Sequence, residues 1–327
     1  MKKIITLGLV VLMCMGLVAC NNANEDVIRI GIVQFAEHPA LDKTNEGFVD
    51  ALKEAGFVDG DNIKIDFQNS QGDISIAETI ADKLVNDQND LIYAIATPAA
   101  QAVAQKTQDI PVVISAVTNP ENSGLVDSNE VPGGNVTGVS DLTPVEAQID
   151  LMMELVPTVK KVAIMYTNSE DNSHYQARLA KDALDIAGIE WVEATVSDIS
   201  TIQQVAESLA GKVDAIYIPT DNLMAEGIAT VTMVATSQGI PCIVGEPGMV
   251  NGGGLATDGI DYYQLGFLAG QQAAKILRGE GDPATMPIEY LGDDKRTIVI
   301  NQTVADELGI EIPAGLAAKA EVITSAE

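Results

Sequence analysis

The sequence contains little histidine, cysteine, aromatic residue or positive charge. Its 327 residues include 2 His, 3 Cys, 5 Phe, 7 Tyr and 1 Trp, and 18 Lys and Arg stand against 47 Asp and Glu. The formal net charge of −29 leaves no basic surface to neutralise phosphates, which excludes a nucleic-acid partner. The few histidines and scattered cysteines disfavour a metal site, a metal-dependent enzyme and a disulfide framework.

The remaining composition is that of a folded chain. Hydrophobic residues make up 46% and charged residues 20%, so the acidity is not that of a disordered tail. The length is roughly twice that of a domain of about 150 residues, which predicts two lobes. The glycine cluster 252–254 lacks the Lys-Ser/Thr of a phosphate-binding loop, and we expect it to be a flexible break with no cofactor.

The first twenty residues have the features of a secretory leader. Residues 1–3 are basic, residues 4–19 are almost wholly apolar, and the run ends as Leu17-Val18-Ala19 directly before Cys20. Its 16 residues are fewer than the about 20 that span a bilayer as a helix. The pattern resembles a bacterial lipobox, which implies a signal peptide over 1–19, acylation of Cys20 and a tether over 20–26. The expected location is the outer face of a bacterial cell membrane, held by lipid. A buried N-terminal helix with an accidental cysteine is the alternative.

Short β-branched runs alternate with longer helical patterns through the rest of the chain. The first series runs from about residue 27 to 139, and a second begins near residue 143. Strands that alternate with helices of 10–15 residues predict parallel sheets with right-handed crossovers. The fold class is therefore α/β, with two doubly wound parallel-sheet lobes. Cys242 lies in one of these apolar runs, Ile240–Val244, and is interpreted as a buried strand thiol.

The breaks in the pattern predict three chain crossings at a hinge, near residues 141, 254 and 290. The first falls at Asp141–Pro144, the second at the glycine cluster and the third after Gly281–Pro283. We expect a first lobe from 27–141 plus about 254–290. The second lobe is expected from 142–253 plus about 291–327.

In doubly wound sheets, ligands bind outside the carboxyl ends of the strands, so residues that follow strands are the candidates for a binding site. Most of them here are small, neutral hydrogen-bonding residues, with a few carboxylates. The candidates are Gln34, Thr97, Ala99, Thr118, Asn119, Ser140, Asn172, Ser173, Thr220, Asp221, Asn222, Glu246, Asp258 and Asp261. Helix capping is the alternative for Thr97, Thr220–Asn222 and 172–173, a solvated turn for Glu246, and a helix start with core aromatics for 261–263. His38 and His174 lack a metal-type partner, and a loop or rim position is expected for both.

Several segments together resemble one known family. They occur in the same order over about residues 28–312: Gly31–Gln34 with His38–Leu41, Ala94–Gln101, Val117–Pro120, Gly134–Asp141, Ile216–Asn222 and Gly259–Gly266. These segments resemble the substrate-binding lipoproteins of ABC importers often annotated for tryptophan/tyrosine uptake, which have the type-I periplasmic-binding-protein fold.

The resemblance implies a small-molecule ligand, an amino acid with tryptophan or tyrosine first, and an ABC permease with its ATPase as partners. A free amino acid needs donors for its carboxylate and an acid for its ammonium. We expect Thr97 and the first-turn amides of the helix from residue 97 to supply the donors, with Thr118 adding one, and Glu246 or Asp221 to supply the acid. These groups lie on opposite lobes, so closure of the lobes would complete the site.

Other functions remain open from the residues alone. A ligand-sensing lipoprotein that docks on a membrane receptor would share the fold, as would a binder of a sugar or nucleoside. An adhesive surface lipoprotein would have no closing cleft. A two-lobe α/β enzyme such as a racemase would need a catalytic pair in the cleft, and Cys242 stands alone there.

Overall fold

The computed structural model describes residues 27–324, so the predicted signal peptide, Cys20 and tether lie outside it. The strands are β1 (Ile28–Gln34), β2 (Ile63–Asn69), β3 (Leu91–Ile95), β4 (Val112–Val117), β5 (Val136–Ser140), β6 (Lys161–Thr167), β7 (Glu190–Val196), β8 (Ala215–Ile218), β9 (Cys242–Val244), β10 (Ala256–Ile260), β11 (Glu289–Tyr290), β12 (Arg296–Asn301) and β13 (Glu321–Ile323). The helices are α1 (Pro39–Glu54), α2 (Ile74–Asn86), α3 (Thr97–Ala104), α4 (Val145–Leu155), α5 (Asp171–Ala187), α6 (Ile202–Glu207), α7 (Asn222–Glu226), α8 (Ile228–Ser237), α9 (Pro247–Asn251), α10 (Tyr262–Leu277), α11 (Gln302–Leu308) and α12 (Ala314–Ala317). Within this range, no helix is long and apolar enough to cross a membrane.

The strands form two sheets, one in each lobe. The first has the order β11-β5-β4-β3-β1-β2 with parallel pairing, and the second has the order β13-β12-β10-β9-β8-β6-β7. In the second sheet the β10–β12 pair is antiparallel and the other pairs are parallel. The central strands β3, β4, β8 and β9 are buried along their whole length, because helices cover both faces. The predicted fold class, two doubly wound α/β lobes, is confirmed.

The chain passes between the sheets after β5, after β10 and between β11 and β12. The second crossing lies after Ile260 and not near residue 254 as expected, because Ala256–Ile260 pairs with both β9 and β12 in the second sheet. The segment from 254 to 260 therefore belongs to the second lobe. The glycine cluster before it turns the chain from α9 into β10 inside that lobe.

Each lobe has its own hydrophobic core. In the first lobe, the rings of Phe48 and Tyr93 stack with centroids 3.7 Å apart, between α1 and the sheet. In the second lobe, Cys242 lies on β9, where burial raises the pKa of its thiol to about 12. The expected buried strand thiol is confirmed.

Helix α10 returns the chain to the first lobe and packs along α1. Three glycines make the contact close: a Cβ at Gly47 would overlap the backbone of Tyr263, one at Gly266 the carbonyl of Thr44, and one at Gly270 the backbone of Phe48. Two helices approach this closely only when the facing residues lack side chains. The contact fixes Tyr262, the first residue of α10, against the first lobe.

Replacing Gly266 with Ala is expected to lower the free energy of unfolding by about 1–3 kcal/mol, because the added methyl group overpacks the contact between α1 and α10. Urea unfolding followed by circular dichroism measures the change. Gly315→Ala, in α12, is the control: a Cβ there meets nothing within 4 Å, so stability should stay equal or rise by about 0.5–1 kcal/mol. Equal urea midpoints for Gly266→Ala and the unmodified protein would contradict this account of the contact.

Candidate ligand-binding site

The carboxyl ends of the strands in both sheets face each other across a cleft, which encloses a cavity of about 20 Å³. The first lobe lines it with His38, Leu41, Ala116, Thr118, Asp141 and Tyr262. The second lobe lines it with Asn172, Thr220, Asp221, Asn222, Ala225 and Glu246. This volume holds about one water molecule, so the cleft must widen to admit a ligand the size of an amino acid.

Two buried carboxylates, one from each lobe, face the cavity. Asp141 follows β5 and accepts hydrogen bonds from the hydroxyls of Thr118 (3.3 Å) and Tyr262 (3.0 Å). Glu246 follows β9 and caps α9, accepting from the amides of Gly248 (2.5 Å) and Met249 (2.9 Å). Burial raises the pKa of Asp141 to about 6 and that of Glu246 to about 7, and the charge of Asp141 adds to the shift at Glu246.

The charge in the cleft is therefore of one sign. Three acids line the cavity, and its lining within residues 27–324 contains no Lys or Arg. Buried carboxylates without a cation repel each other and favour a bound positive charge. An ammonium group is the ligand chemistry that this arrangement accepts best.

Asp221, the third acid, is already satisfied by the second lobe. Its carboxylate accepts from the amide (2.6 Å) and hydroxyl (2.9 Å) of Thr167, the hydroxyl of Ser173 (2.7 Å) and the amide of Met224 (2.9 Å). These four donors use the capacity of one carboxylate. Asp221 therefore joins β6, α5 and α7, and Glu246 is the second-lobe acid with room for a ligand.

A fourth buried acid, Glu170, lies beside the cavity and holds the loop before α5 to the start of α7. Its carboxylate accepts from the side-chain amides of Asn172 (3.0 Å) and Asn222 (2.5 Å) and from the backbone amide of Leu223 (3.3 Å). Burial, followed by the charge of Asp221, raises its pKa to about 7. Glu170 follows β6 in the same segment as Asn172 and Ser173, but it was not among the fourteen sequence candidates.

Two hydrogen bonds connect the lobes at the cavity. Gln176, on α5, donates to the hydroxyl of Thr118 (3.4 Å) and accepts from that of Thr220 (2.7 Å). His38, before α1, lies 3.4 Å from Asn222 through Nε2. A loop or rim position was expected for His38: it lies in the loop before α1, but it is 7% exposed and not on the rim, and burial lowers its pKa to about 4. His174, in contrast, is exposed on α5.

The backbone is strained where the first-lobe strands reach the cleft. Ala96 after β3 and Ala116 in β4 have φ of 82° and 54°, values that non-glycine residues rarely adopt. Ala116 lies in an irregularity between β4 and β5, where Gly138 allows the carbonyl of Ile114 to approach closely. Such strain clusters at binding sites, and here it turns the end of β4 toward the cavity.

The structure brings six of the fourteen candidate residues together at the cavity: Thr118, Asn172, Thr220, Asp221, Asn222 and Glu246. The other eight do not line it: Gln34, Thr97, Ala99, Asn119, Ser140, Ser173, Asp258 and Asp261. Ser173 supports Asp221, and Ser140 donates to the carbonyl of Thr118 (2.8 Å), so both position lining residues.

Three more candidates stabilise a strand pair, a helix end or a loop. Asp258 pairs with Arg296 (2.6 Å) between β10 and β12. Asp261 is exposed and caps α10, while Asn119 accepts from the amide of Asn122 (3.1 Å) within its own loop. The alternative of a helix start was therefore the better interpretation of Asp261.

The remaining three candidates are buried in the first lobe behind the cleft. Gln34 donates to the carbonyl of Ala36 (2.8 Å) and to Asp42 (2.7 Å). Thr97 begins α3 with a hydroxyl that has no partner among the described residues, and Ala99 packs in the core. Of the predicted donors for a ligand carboxylate, Thr97 and the first-turn amides of α3 are therefore not at the cavity, and Thr118 is. The hydroxyls of the lining residues Thr118 and Thr220 donate within the protein, to Asp141 and Gln176.

Of the lining residues that the candidate set missed, Asp141 carried the same signal as Ser140, since it directly follows β5. Tyr262, expected in the core, reaches the cavity because α10 starts at the cleft. His38, Leu41 and Ala225 follow no strand directly and had no such signal. Among residues 27–324, no cluster of His, Cys, Asp and Glu is arranged to hold a metal ion.

The structure has two α/β lobes around a cleft, and buried carboxylates and neutral hydrogen-bonding groups line this cleft. These features define a solute-binding protein of the type-I periplasmic-binding-protein fold. The chain matches, over residues 29–323, the model of the family described as ABC transporter substrate binding protein. It belongs to this family, as its motifs predicted.

The relatives include proteins with named ligands. A "Tyrosine-binding protein" of Clostridioides difficile (strain R20291) is 44% identical over 285 residues, which cover 86% of this chain and 81% of that protein. A Streptococcus pneumonia ABC domain solved in complex with L-Trp is 40% identical, with a TM-score of 0.87 over 90% of this chain and 99% of that one.

A solved structure without ligand allows the arrangement of the two lobes to be compared. The ligand-free, open structure of a substrate binding protein with adhesive properties from Clostridium difficile is 41% identical, and its TM-score is 0.70 over 92% of this chain and 100% of that one. At nearly equal identity, the chain superposes better on the L-Trp complex than on the open structure. This difference agrees with an arrangement in which the lobes are closed around a small cavity.

The raised pKa values predict that stability falls as pH rises from 5 to 8. Asp141 and Glu246 bind protons more tightly in the folded state than in the unfolded state. Proton binding therefore stabilises the folded state at low pH, and this stabilisation is lost as the pH rises through the pKa values that the two groups have in the folded state. A pKa raised from 3.8 to about 6 at Asp141 corresponds to about 3 kcal/mol at most. Urea unfolding at pH 5, 6, 7 and 8 measures the slope.

Asp141→Asn should flatten this pH dependence, because it removes one titrating group and its repulsion of Glu246. Glu280→Gln, at an exposed position, is the matched control and should leave the profile unchanged. A slope for Asp141→Asn equal to that of the control would show that Asp141 ionises freely in the folded protein.

Proposed function

We propose that this protein captures an aromatic amino acid, tyrosine or tryptophan, by closing its two lobes, and delivers it to the permease of an ABC importer. The observation that carries the proposal is the pair of buried carboxylates, Asp141 and Glu246, which face one cavity from opposite lobes; no Lys or Arg of the described residues lines it. Support for the ligand class comes from the relatives, one a tyrosine-binding protein and one solved with L-Trp.

The carboxylate pair makes closure of the two lobes depend on the ligand. Without a cation, closing the lobes buries two carboxylates together, which disfavours the closed form or forces one of them to take up a proton. The α-ammonium of an amino acid between them replaces repulsion with charge-assisted hydrogen bonds. The ligand therefore binds the closed form more tightly than the open form, which is the condition for it to drive closure.

We further propose that the protein is a lipoprotein on the outer face of a bacterial membrane, with an ABC permease and its ATPase as partners. The family description supports the transporter partnership. The basic start, the apolar run and Leu17-Val18-Ala19-Cys20 support lipid attachment at Cys20.

Isothermal titration calorimetry with the twenty amino acids, a sugar set and a nucleoside set tests the ligand class. Tyrosine or tryptophan should bind, and at 100 times its Kd the ligand should raise the free energy of unfolding by about 2.7 kcal/mol. Asp141→Asn and Glu246→Gln should each weaken binding about 10- to 100-fold, since each removes a charged hydrogen-bond acceptor.

The matched control is again Glu280→Gln, which should bind as the unmodified protein does. Binding of only a sugar or a nucleoside would contradict the proposal, as would chemical conversion of the bound amino acid. Undiminished affinity in both Asp141→Asn and Glu246→Gln would show that the carboxylate pair does not bind the ligand.

Lipid attachment is tested separately by growing bacteria that express the protein with radiolabelled palmitate. The unmodified protein and Cys242→Ala should incorporate label, because Cys242 is buried and free. Cys20→Ala should incorporate none. Label retained in Cys20→Ala would contradict attachment at Cys20.

A further inference from the structure

The cavity also presents hydrogen-bond acceptors that carry no charge. Glu170 fixes the orientation of two of the amides that line the cavity, since its carboxylate accepts from Nδ2 of both Asn172 (3.0 Å) and Asn222 (2.5 Å). In both bonds the side-chain amide donates and the oxygen of Glu170 accepts. Both asparagines must therefore turn Nδ2 toward Glu170 and Oδ1 away from it.

The orientation of Asn222 then fixes the tautomer of His38. Oδ1 of Asn222 lies 3.4 Å from Nε2 of His38 and can only accept, so Nε2 carries the hydrogen. His38 stays neutral at physiological pH because burial lowers its pKa to about 4. Nδ1 of a neutral imidazole protonated at Nε2 is a lone-pair acceptor.

Two acceptors are left without a partner. Within residues 27–324, Nδ1 of His38 and Oδ1 of Asn172 are buried and make no hydrogen bond, and both side chains line the cavity. Buried acceptors are normally paired, so each favours a ligand that brings a donor. These two atoms come from opposite lobes, as the carboxylates do.

We propose that Nδ1 of His38, assisted by Oδ1 of Asn172, selects ligands with a hydrogen-bond donor on the side chain, a phenol hydroxyl or an indole N–H. The inference rests on the proposed binding of an amino acid through its ammonium at Asp141 and Glu246. The positive group pairs with the carboxylates, which leaves the neutral acceptors for a neutral donor. Tyrosine and tryptophan carry one such donor, and phenylalanine carries none.

Selection follows from the cost of an unpaired group. Phenylalanine fills nearly the same volume as tyrosine but leaves the acceptor of His38 buried and unpaired. Sites that hydrogen-bond a ligand hydroxyl reject the analogue without it far more strongly than apolar pockets reject an extra methylene. The expected preference for tyrosine over phenylalanine is at least about tenfold in Kd.

The test is the ratio of the Kd values for phenylalanine and tyrosine, measured by calorimetry on the unmodified protein, His38→Phe and His174→Phe. His38→Phe also removes the interlobe bond to Asn222, but that loss affects both ligands equally and cancels in the ratio. The ratio should be at least about ten in the unmodified protein and in His174→Phe, the exposed control. It should fall to about one in His38→Phe.

The possible results distinguish failure of the proposed side-chain selection from failure of the proposed amino-acid binding on which it rests. A ratio near one in the unmodified protein, with both ligands bound, overturns the selection, leaves amino-acid binding intact and requires no variant to fold. An unchanged ratio in His38→Phe also overturns it, whether both ligands bind as before or both bind equally more weakly. Failure of every amino acid to bind the unmodified protein would instead overturn the proposed function.

Discussion

The proposed function depends on two carboxylates, Asp141 and Glu246, which lie on opposite sides of a cleft that no Lys or Arg among residues 27–324 lines. Their repulsion rises as the lobes close, because closure removes the water that screens them. Among residues 27–324, no positive side chain lines the cavity to cancel this repulsion, so in the proposed function the cancelling charge comes from the ligand. A two-lobe protein can thereby link closure to capture without any change inside either lobe, whose cores stay packed.

The surrounding contacts prepare this arrangement. Tyr262 and Thr118 hold Asp141, the start of α9 holds Glu246, and Glu170 orients the amides that face the first lobe. Buried acids paired only with neutral donors cost stability, and such costs are typical of binding sites. The backbone strain at Ala116 belongs to the same pattern, since it occurs where β4 meets the cleft.

Sequence reasoning predicted the fold because alternating strands and helices restrict the possible topologies. It also found the lining residues that directly follow strands, such as Thr118 and Glu246. It missed His38, because that residue reaches the cavity through the packing of α1 and not through its position in a strand–helix unit. It could not separate Asp221 from Glu246, because the donors that satisfy Asp221 come from Thr167 and Ser173, distant in sequence. The crossing near 254 was misplaced because the pairing of β10 with β12 depends on residues that come later in the chain.

The most direct test of the ammonium-dependent closure compares L-tyrosine with 3-(4-hydroxyphenyl)propionate, which has the same ring and carboxylate but no amino group. Small-angle X-ray scattering of the protein at pH 8, with each compound at saturating or millimolar concentration, reports lobe closure as a fall in the radius of gyration. L-tyrosine should reduce the radius, and the analogue should leave it at the ligand-free value. An equal reduction by both compounds would contradict the central role of the carboxylate pair.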